Sequence, residues 1–327
     1  MMGTRVLVTG GAGLVGSTIV GQLVGAGASE VLVLDNLLRG SRDNLRWALR
    51  YGAANLIEGD IRDRRLVDQV MAGIDIVFHQ AGIQVEECID RPRLALEVLA
   101  EGTFNLLEAA RSAGVRKVIA ASSAAVYGVS DEIPTPEDSP IHLSRTLYGA
   151  AKTFEEGMLR SFHQMYGLDY VALRYFNVYG PRMPVQSPYP EVLVRWMEQI
   201  GLGQPPQVPG PGTQTLDLVY VTDVARANLM AAESPVTDEV VNVGTGQETS
   251  LNDLARLLLA TMDSDLEPQH VLEPAPDPIR RTGASTSKAR RVLGFAAEVE
   301  LDEGLRHLVT WWRREGRHRR APHRAWT

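Results

Sequence analysis

The 327-residue chain has little cysteine, no long hydrophobic run and no excess of positive charge. Its one cysteine, Cys88, cannot form an internal disulfide, which fits a reducing compartment. No apolar run approaches the roughly 20 residues that a membrane helix needs, and the first residues lead into a predicted strand rather than a signal peptide. The net charge of −7 argues against a general nucleic-acid binder. We therefore expect a cytoplasmic protein with no membrane or nucleic-acid partner.

Positive charge is concentrated at the C-terminal end. Residues 312–327 hold six arginines and one acidic residue, Glu315. Such a basic end could contact a membrane or a polyanion, but a solvated, partly disordered tail is the better interpretation.

Short apolar segments alternate with helical segments through the first half of the chain. The predicted strands are 4–9, 30–35, 55–58, 75–79, 117–121 and 169–174, and the predicted helices among them are 62–72, 91–113 and 145–166. This alternation predicts a parallel sheet with helices on both faces. The expected fold class is α/β, a Rossmann-type doubly wound parallel sheet with a smaller, discontinuous α/β substrate domain.

A change in residue composition suggests where the chain divides into two domains. Prolines become frequent after residue 176, and residues 217–244 then read as strand, helix and strand returning to the sheet. We predict a dinucleotide-binding Rossmann domain made of 1–176 and 217–244. A substrate-binding domain with a basic C-terminal tail would combine 177–216 and 245–327. The substrate would lie between them, at the carboxyl ends of the strands.

A glycine-rich turn follows the first predicted strand and opens a helix. Gly10 allows the tight turn, Gly13 lets the backbone approach a pyrophosphate, and Gly16 permits close packing of helix on strand. Leu14 and Val15 begin the helix, whose free N–H groups and dipole attract phosphate. The pattern predicts a dinucleotide site.

Acidic residues after the next two strands fit the rest of a dinucleotide. Asp35 ends the second strand, where a carboxylate can accept both ribose hydroxyls. It favours NAD over NADP because it would repel a 2′-phosphate, although the nearby Arg39 leaves that preference incomplete. Asp60 and Ile61 follow the third strand and could bracket the adenine; for Asp60 a turn role is equally plausible.

Tyr148 and Lys152 are four residues apart on a predicted helix and therefore share one face. An ammonium held near a phenol favours the phenolate, so the tyrosine can act as an acid and base. The pair alone is a weak signal. Its specificity comes from following the glycine turn at the spacing of one nucleotide-binding domain.

Ordered motifs along nearly the whole chain carry a family resemblance. They are TGGAGLVG, VLDNLLRGS, EGDIRD, FHQAG, GTFNLLEAAR, SSAAVYG, YGAAK, LRYFNVYGPR, DLVYVTDVARA and NVGTG. The chain resembles the extended short-chain dehydrogenases/reductases, within the nucleotide-sugar (UDP-glucose 4-epimerase-like) epimerase family. The resemblance implies that Tyr148 is the acid/base, that Lys152 binds the nicotinamide ribose, and that Ser123 hydrogen-bonds the reacting oxygen.

The resemblance also implies NAD as the cofactor, a homodimer, and a nucleotide-sugar substrate; no metal site is predicted. The expected cofactor-binding residues are Gly10, Gly13, Leu14, Val15, Asp35, Asn36, Asp60, Ile61, Gln80 and Lys152. The expected substrate-binding residues are Ser123, Tyr148, Asn177, Arg182 and Arg280.

The residues after Ser123 distinguish the reactions of this family. Relatives that dehydrate or decarboxylate a sugar carry extra acid/base groups there, whereas this chain has Ala124 and Ala125, which cannot move a proton. Dehydratase chemistry is therefore disfavoured. The resemblance implies inversion at C4 of the sugar through a transient 4-keto intermediate.

Two departures from the family pattern concern the substrate diphosphate. Leu216 and Ala275 stand where the family has arginines that grip it, and a bidentate arginine is a strong phosphate ligand. Either Arg280, Arg281 or Arg182 replaces them, or the substrate is not an ordinary nucleoside-diphosphate hexose. Asn177, which matches a family contact near the substrate phosphates, favours the first explanation.

Two other functions stay open from the sequence. A net NAD-dependent sugar or sugar-acid dehydrogenase or reductase would use the same Ser123, Tyr148 and Lys152. A non-enzymatic dinucleotide sensor of this fold is disfavoured because the Tyr and Lys pair is present.

Overall fold

The structure is a computed structural model that describes residues 1–130, 132–141, 144–185, 191–272 and 281–320, the side chains of 316–320 excepted. The strands are β1 (Arg5–Thr9), β2 (Glu30–Asp35), β3 (Ala54–Glu58), β4 (Ile76–His79), β5 (Lys117–Ser123), β6 (Asp169–Tyr175), β7 (Asn177–Tyr179), β8 (Gln207–Pro209), β9 (Thr215–Leu216), β10 (Leu218–Tyr220), β11 (Glu239–Val243), β12 (Thr249–Ser250) and β13 (Gln269–Val271).

The α-helices are α1 (Leu14–Gly25), α2 (Arg46–Tyr51), α3 (Arg64–Met71), α4 (Val85–Asp90), α5 (Pro92–Ala95), α6 (Thr103–Ala113), α7 (Leu147–Tyr166), α8 (Val192–Gly201), α9 (Val221–Glu233), α10 (Leu251–Thr261), α11 (Ser287–Leu293) and α12 (Leu301–Arg320). A π-helical segment, Leu96–Gly102, joins α5 to α6, and short 3-10 helices lie at Arg42–Leu45 and Ala124–Val126.

Seven parallel strands form the central sheet in the order β11-β6-β5-β4-β1-β2-β3. The chain builds outward from β1 to β3 and then crosses to β4, on the other side of β1. Strand order therefore reverses between β1 and β4, which opens a crevice at their carboxyl ends. This sheet confirms the predicted α/β, Rossmann-type fold class.

Both faces of the sheet are buried because the middle of each strand is mostly apolar. In β1, Val6 and Val8 point into one core, which α1 and α9 cover, while Leu7 points into a second core beneath α3, α6 and α7. The alternation places the helices on opposite faces. It also leaves the strand ends free to carry polar groups.

A third hydrophobic core lies apart from the sheet. Trp196 of α8, Leu254 of α10 and Leu305 of α12 meet in it, and each is almost fully buried. Apart from Leu218 and Tyr220, this core draws its residues from both sides of 217–244. The predicted two-domain division stays a prediction.

One strand expected in the central sheet lies elsewhere. β10 pairs in parallel with β7 in a separate two-stranded sheet, and only β11 joins the main sheet, beside β6. The reason is the alternation of its side chains. Val219 packs into the first core, whereas Leu218 and Tyr220 pack into the third, so β10 connects the two cores. In the described part of the chain, no helix is long and apolar enough to cross a membrane.

Candidate active site

A cavity of about 290 Å³ opens at the carboxyl ends of the strands, where strand order reverses. The residues predicted to bind the cofactor line it. They are Gly10, Gly13, Leu14, Val15, Asp35, Asn36, Asp60, Ile61, Gln80 and Lys152, and Tyr148 and Arg182 line it as well. Sequence segments far apart in the chain thus converge on one cleft.

The glycine turn brings the backbone of α1 close to the sheet. Gly10 has a left-handed φ of 64°, and a Cβ there would lie 2.7 Å from the backbone of Gln80 and Ala81. A Cβ on Gly16 would collide with the carbonyl of Gly10. No side chain caps the N-terminus of α1, where Gly13 is the N-cap residue. The free backbone N–H groups in the first turn of α1 can therefore bind an anion in the cavity.

Asp35 is held rigidly at the end of β2. Its carboxylate accepts backbone N–H bonds from Ala12 and Leu37, both at 2.8 Å, and the residue is only 7% exposed. Burial raises the pKa of Asp35, and the two N–H groups oppose that rise. Because each carboxylate oxygen keeps a second lone pair, the fixed Asp35 can still accept ribose hydroxyls. The glycine cradle and this carboxylate fit a dinucleotide.

Asp60 anchors a polar network at the edge of the cavity that follows β3. It accepts three bonds from Arg62, two from the guanidinium and one from the backbone, and a fourth from Asn36 at 2.9 Å. These contacts, led by the Arg62 side chain, lower the pKa of Asp60 to about 2. Asp60 therefore orients Arg62 and Asn36 in the turn after β3. Because it also lines the cavity, the structural role and the predicted cofactor role are compatible.

Gln80 directly follows β4 and is fixed by Tyr175 and Asn228. The Tyr175 hydroxyl donates to Gln80 at 3.0 Å, and the Gln80 amide donates to Asn228 at 3.2 Å. Burial raises the pKa of Tyr175, which keeps that phenol protonated. Tyr175 also lines the cavity, so a neutral amide and a neutral phenol form its floor.

Tyr148 lies in the first turn of α7, which Thr146 caps by accepting the Gly149 N–H at 3.0 Å. Gly149 allows α7 to approach the turn after β5, because a Cβ there would collide with the carbonyl of Ala125. The Lys152 Nζ lies 6.0 Å from the centroid of the Tyr148 ring. The pair expected from sequence therefore shares one helix face inside the cavity.

Lys152 is buried, with its side chain 5% exposed. Its ammonium donates to the carbonyl of Ala121 at 3.0 Å and to Glu155 at 2.7 Å. Burial opposes the charged form, but Glu155 and the phenol of Tyr148 outweigh that effect and raise the pKa of Lys152. The lysine is thus a fixed cation beside the tyrosine.

Ser123 ends β5 at the turn facing α7. Its Oγ accepts the Ala125 N–H at 3.1 Å, and the residue does not line the cavity. Its neighbour Ser122 does, although the Ser122 hydroxyl donates to Glu156 at 2.6 Å. The role expected of Ser123 stays a prediction, and it requires the hydroxyl to donate to a substrate while keeping its bond from Ala125.

The predicted substrate residues are spread over the edge of the cavity and beyond it. Arg182 lines the cavity and donates to Ser17 of α1 at 3.1 Å. Asn177 does not line it, and its amide donates to Thr282 at 3.2 Å and to a backbone carbonyl. Arg281 pairs with Glu248 and is 57% exposed. Arg280 lies outside the described residues, as does Ala275.

Sequence reasoning did not single out three residues of this region. Tyr175 stands inside the LRYFN motif, but nothing in that motif shows that its hydroxyl reaches Gln80. Ser122 is one residue from the predicted Ser123. Glu155 carried a usable signal, since its spacing of three from Lys152 predicts contact on a helix.

Comparisons with known proteins agree with this geometry. The model of the family described as "NAD dependent epimerase/dehydratase family" matches residues 6–244. The UDP-glucose 4-epimerase of Mycolicibacterium smegmatis is 36% identical over 315 residues, which cover 94% of this chain and 98% of the relative. Relatives named as UDP-glucuronic acid decarboxylases and dTDP-glucose 4,6-dehydratases also match.

Two solved structures are similar along nearly the whole chain. The UDP-N-acetylglucosamine 4-epimerase from Methanobrevibacter ruminantium, in complex with UDP-N-acetylmuramic acid, has a TM-score of 0.91 and 33% identity, covering 96% of this chain and all of that one. The UDP-glucose 4-epimerase of Thermus thermophilus, in complex with NAD, has a TM-score of 0.84 and 34% identity, and the match covers 95% of this chain and 99% of that one.

Proposed function

The chain belongs to the NAD dependent epimerase/dehydratase family and uses NAD, and from this premise we propose that it inverts C4 of a nucleotide-activated sugar. The observation that carries the proposal is the placing of Tyr148 and Lys152 on one helix face in the cavity, next to a turn without acid/base groups. The adjoining turn, Ala124–Val126, contributes no ionisable side chain. An elimination of water needs a further acid and base, whereas epimerisation through a ketone needs one group that takes and returns a proton.

The protein supplies proton transfer and orientation. NAD, when bound, supplies the hydride acceptor and donor. Tyr148 removes the proton of the sugar hydroxyl as the ketone forms and returns it when the sugar is reduced from its other face. Lys152 stabilises the phenolate through its positive charge. Ser123 donates to the oxygen on which charge develops, a role worth about 2.7–4 kcal/mol for comparable donors.

We propose that Arg182 replaces the absent diphosphate arginines. Of the two candidate arginines that the structure describes, Arg182 lines the cavity and Arg281 does not. Burial lowers the pKa of Arg182, which marks an arginine with little solvent and no described carboxylate partner. Arg281 instead bonds Glu248 at the surface. A nucleoside diphosphate would supply Arg182 with an anionic partner, which the described residues do not provide, and this favours an ordinary nucleotide sugar.

A substrate panel tests the function. The purified protein is incubated with UDP-, GDP-, ADP-, CDP- and dTDP-sugars and with free uronic acids, and the products are analysed by NMR in deuterated water. We expect a C4 epimer of a nucleotide sugar, without ring deuterium and without accumulating NADH. Tyr148→Phe is the control, and it should fold and keep its cofactor while losing nearly all turnover.

Other outcomes would identify other reactions. Accumulating NADH would indicate a net dehydrogenase, which the sequence left open. Deuterium in the ring would indicate enolisation at C3 or C5, and a 6-deoxy or decarboxylated product would place the chain with its dehydratase or decarboxylase relatives. An active Tyr148→Phe variant would remove the catalytic assignment altogether.

We propose that two copies pair through the helices that carry the tyrosine. Apolar side chains remain exposed on α7 and on the helical run before it: Leu96, Phe104, Leu147, Phe154, Met165 and Tyr166. Phe154 is 56% exposed although it lies in the middle of α7. Light scattering should give a dimer for the native chain and a monomer for Phe154→Lys, and a monomeric native chain would contradict the pairing.

A further inference from the structure

A buried carboxylate beneath the lysine has no assigned role. Glu155 and Glu156 are consecutive residues of α7, and both are almost fully buried, at 3% and 4% exposure. Glu156 receives two bonds from Arg174, at 2.8 and 2.7 Å. Glu155 instead contacts Lys152, at 2.7 Å. The two carboxylates are therefore equal in burial but differ in partner.

Glu155 is the end point of a chain of hydrogen bonds that crosses the site. The Ala81 N–H donates to Thr9, 3.3 Å away, and the Thr9 hydroxyl lies 2.8 Å from Nδ1 of His79. Nε2 of His79 lies 3.0 Å from the hydroxyl of Thr103, which donates to Glu155 at 3.4 Å. The chain connects the end of β1 with β4, α6 and α7.

The direction of these bonds follows from the donors. The Thr103 hydroxyl donates its one hydrogen to Glu155, so its oxygen accepts a hydrogen bond from Nε2 of His79. Nδ1 of His79 then carries no hydrogen and accepts a bond from the Thr9 hydroxyl. This order needs a neutral histidine. Burial, with help from Lys152, lowers the pKa of His79 to about 3, so the ring is neutral as required. Every donor in the network thus points toward one carboxylate.

We infer that Glu155 is a positioning residue, which keeps the Lys152 ammonium charged and aimed at the tyrosine and the cofactor ribose. An ammonium has three N–H groups. Ala121 and Glu155 take two of them, and within the described part of the chain no acceptor takes the third. Because Lys152 lines the cavity, that third N–H is the one available to a ligand. The inference rests on the proposed function for its catalytic consequence.

The groups around Glu155 make its charge dependent on pH. It contacts Lys152, which in turn interacts with Tyr148, on its own helix. From the neighbouring elements it contacts Thr103 and, through it, His79, and Glu156 adds a repulsive charge. Burial raises the pKa of Glu155 to about 6, against the effect of Lys152. On acidification the carboxylate therefore gains its proton while the lysine stays charged.

The test compares Glu155→Gln with the matched variant Glu156→Gln as a function of pH. At about pH 8 we expect Glu155→Gln to lower kcat by roughly tenfold or more, the range for loss of one charged partner. Below about pH 6 native Glu155 is itself protonated, so the ratio of native to variant kcat should fall toward one. For Glu156→Gln this ratio should stay constant, and a constant ratio for Glu155→Gln would overturn the inference.

A second measurement does not depend on activity or on bound NAD. Lys152→Met leaves Glu155 buried without its cation, so this variant should gain stability as pH falls from about 8 to about 5.5, because the folded state takes up the proton. Urea midpoints should show this gain, relative to native protein, in Lys152→Met and not in Lys152→Met/Glu155→Gln. Equal pH dependence in both variants would overturn the inference even if no substrate were ever found.

Discussion

The two ends of the cavity differ in how far their polar groups are fixed before any ligand binds. At the cofactor end, Asp35, Asp60 and Lys152 each bond to neighbouring groups, backbone or side chain, at 3.0 Å or less. On the side that we propose for the substrate, Arg182 bonds to Ser17 among the described residues, and Arg281 is engaged at the surface, outside the cavity. The first region is rigid because the ends of parallel strands and helix α7 position its residues, whereas Arg182 and Arg281 lie outside the helices and strands.

This difference indicates where each function can vary. A site built on strand ends and a helix N-terminus has a fixed geometry, so it accepts one kind of ligand. A loop-borne site can change its ligand with little effect on the fold. The cofactor is therefore common to the whole family, while the substrate differs among relatives named as epimerases, decarboxylases and dehydratases.

The largest effect should come from breaking the rigid end. Gly16→Ala places a methyl group against the carbonyl oxygen of Gly10. We therefore expect loss of bound NAD and a stability loss of about 3 kcal/mol or more, above the usual range of about 1–3 kcal/mol for overpacking because the clash is with backbone. Urea unfolding and the NAD content of the purified protein measure both. Gly21→Ala is the matched control, because a Cβ there meets nothing within 4 Å. It should stabilise α1 by about 0.5–1 kcal/mol, and equal losses in both variants would refute the argument.

The next effect concerns the buried ion pair below the rigid end. Glu156→Gln leaves Arg174 without its carboxylate and should cost about 3–5 kcal/mol in the free energy of unfolding. The exposed pair of Arg306 with Asp302 on α12 gives the comparison. Asp302→Asn should cost less than about 0.5 kcal/mol. If the two changes proved similar in urea titrations, burial would not be the deciding factor.

A smaller effect is expected at the substrate end. Arg182→Gln should raise KM for the nucleotide sugar about 10- to 100-fold, the effect of losing one charged phosphate ligand, with kcat changed less. Steady-state kinetics at saturating NAD measure the split between the two constants. An unchanged KM would contradict the assignment and favour Arg280, which the sequence also offers and which lies outside the described residues.

The smallest effect should come from Arg281, the arginine that pairs outside the cavity. Arg281→Gln removes an exposed ion pair with Glu248, so KM should change less than about twofold. The same assay as for Arg182→Gln decides this. A larger change for Arg281→Gln than for Arg182→Gln would reverse the proposed assignment of the diphosphate.

Much of the cofactor end could be predicted from the sequence because its signals are local. The turn at Gly10 and the spacing of Tyr148 and Lys152 each depend on a few consecutive residues, whose backbone geometry fixes the arrangement. The strands were predictable for the same reason, since apolar runs between helices mark a parallel sheet. β10 was misplaced because its partner strand is chosen by packing on two cores at once.

The amino-acid order alone determined the α/β fold class, the dinucleotide turn and the tyrosine–lysine pair, since each follows from periodicity or spacing along a single element. The tertiary structure decided which distant groups meet. His79 and Thr103 come from different elements, and nothing in their local sequence shows that they join Thr9 to Glu155. Burial, which only the packed molecule creates, then makes His79 neutral and ties the charge of Glu155 to that of Lys152.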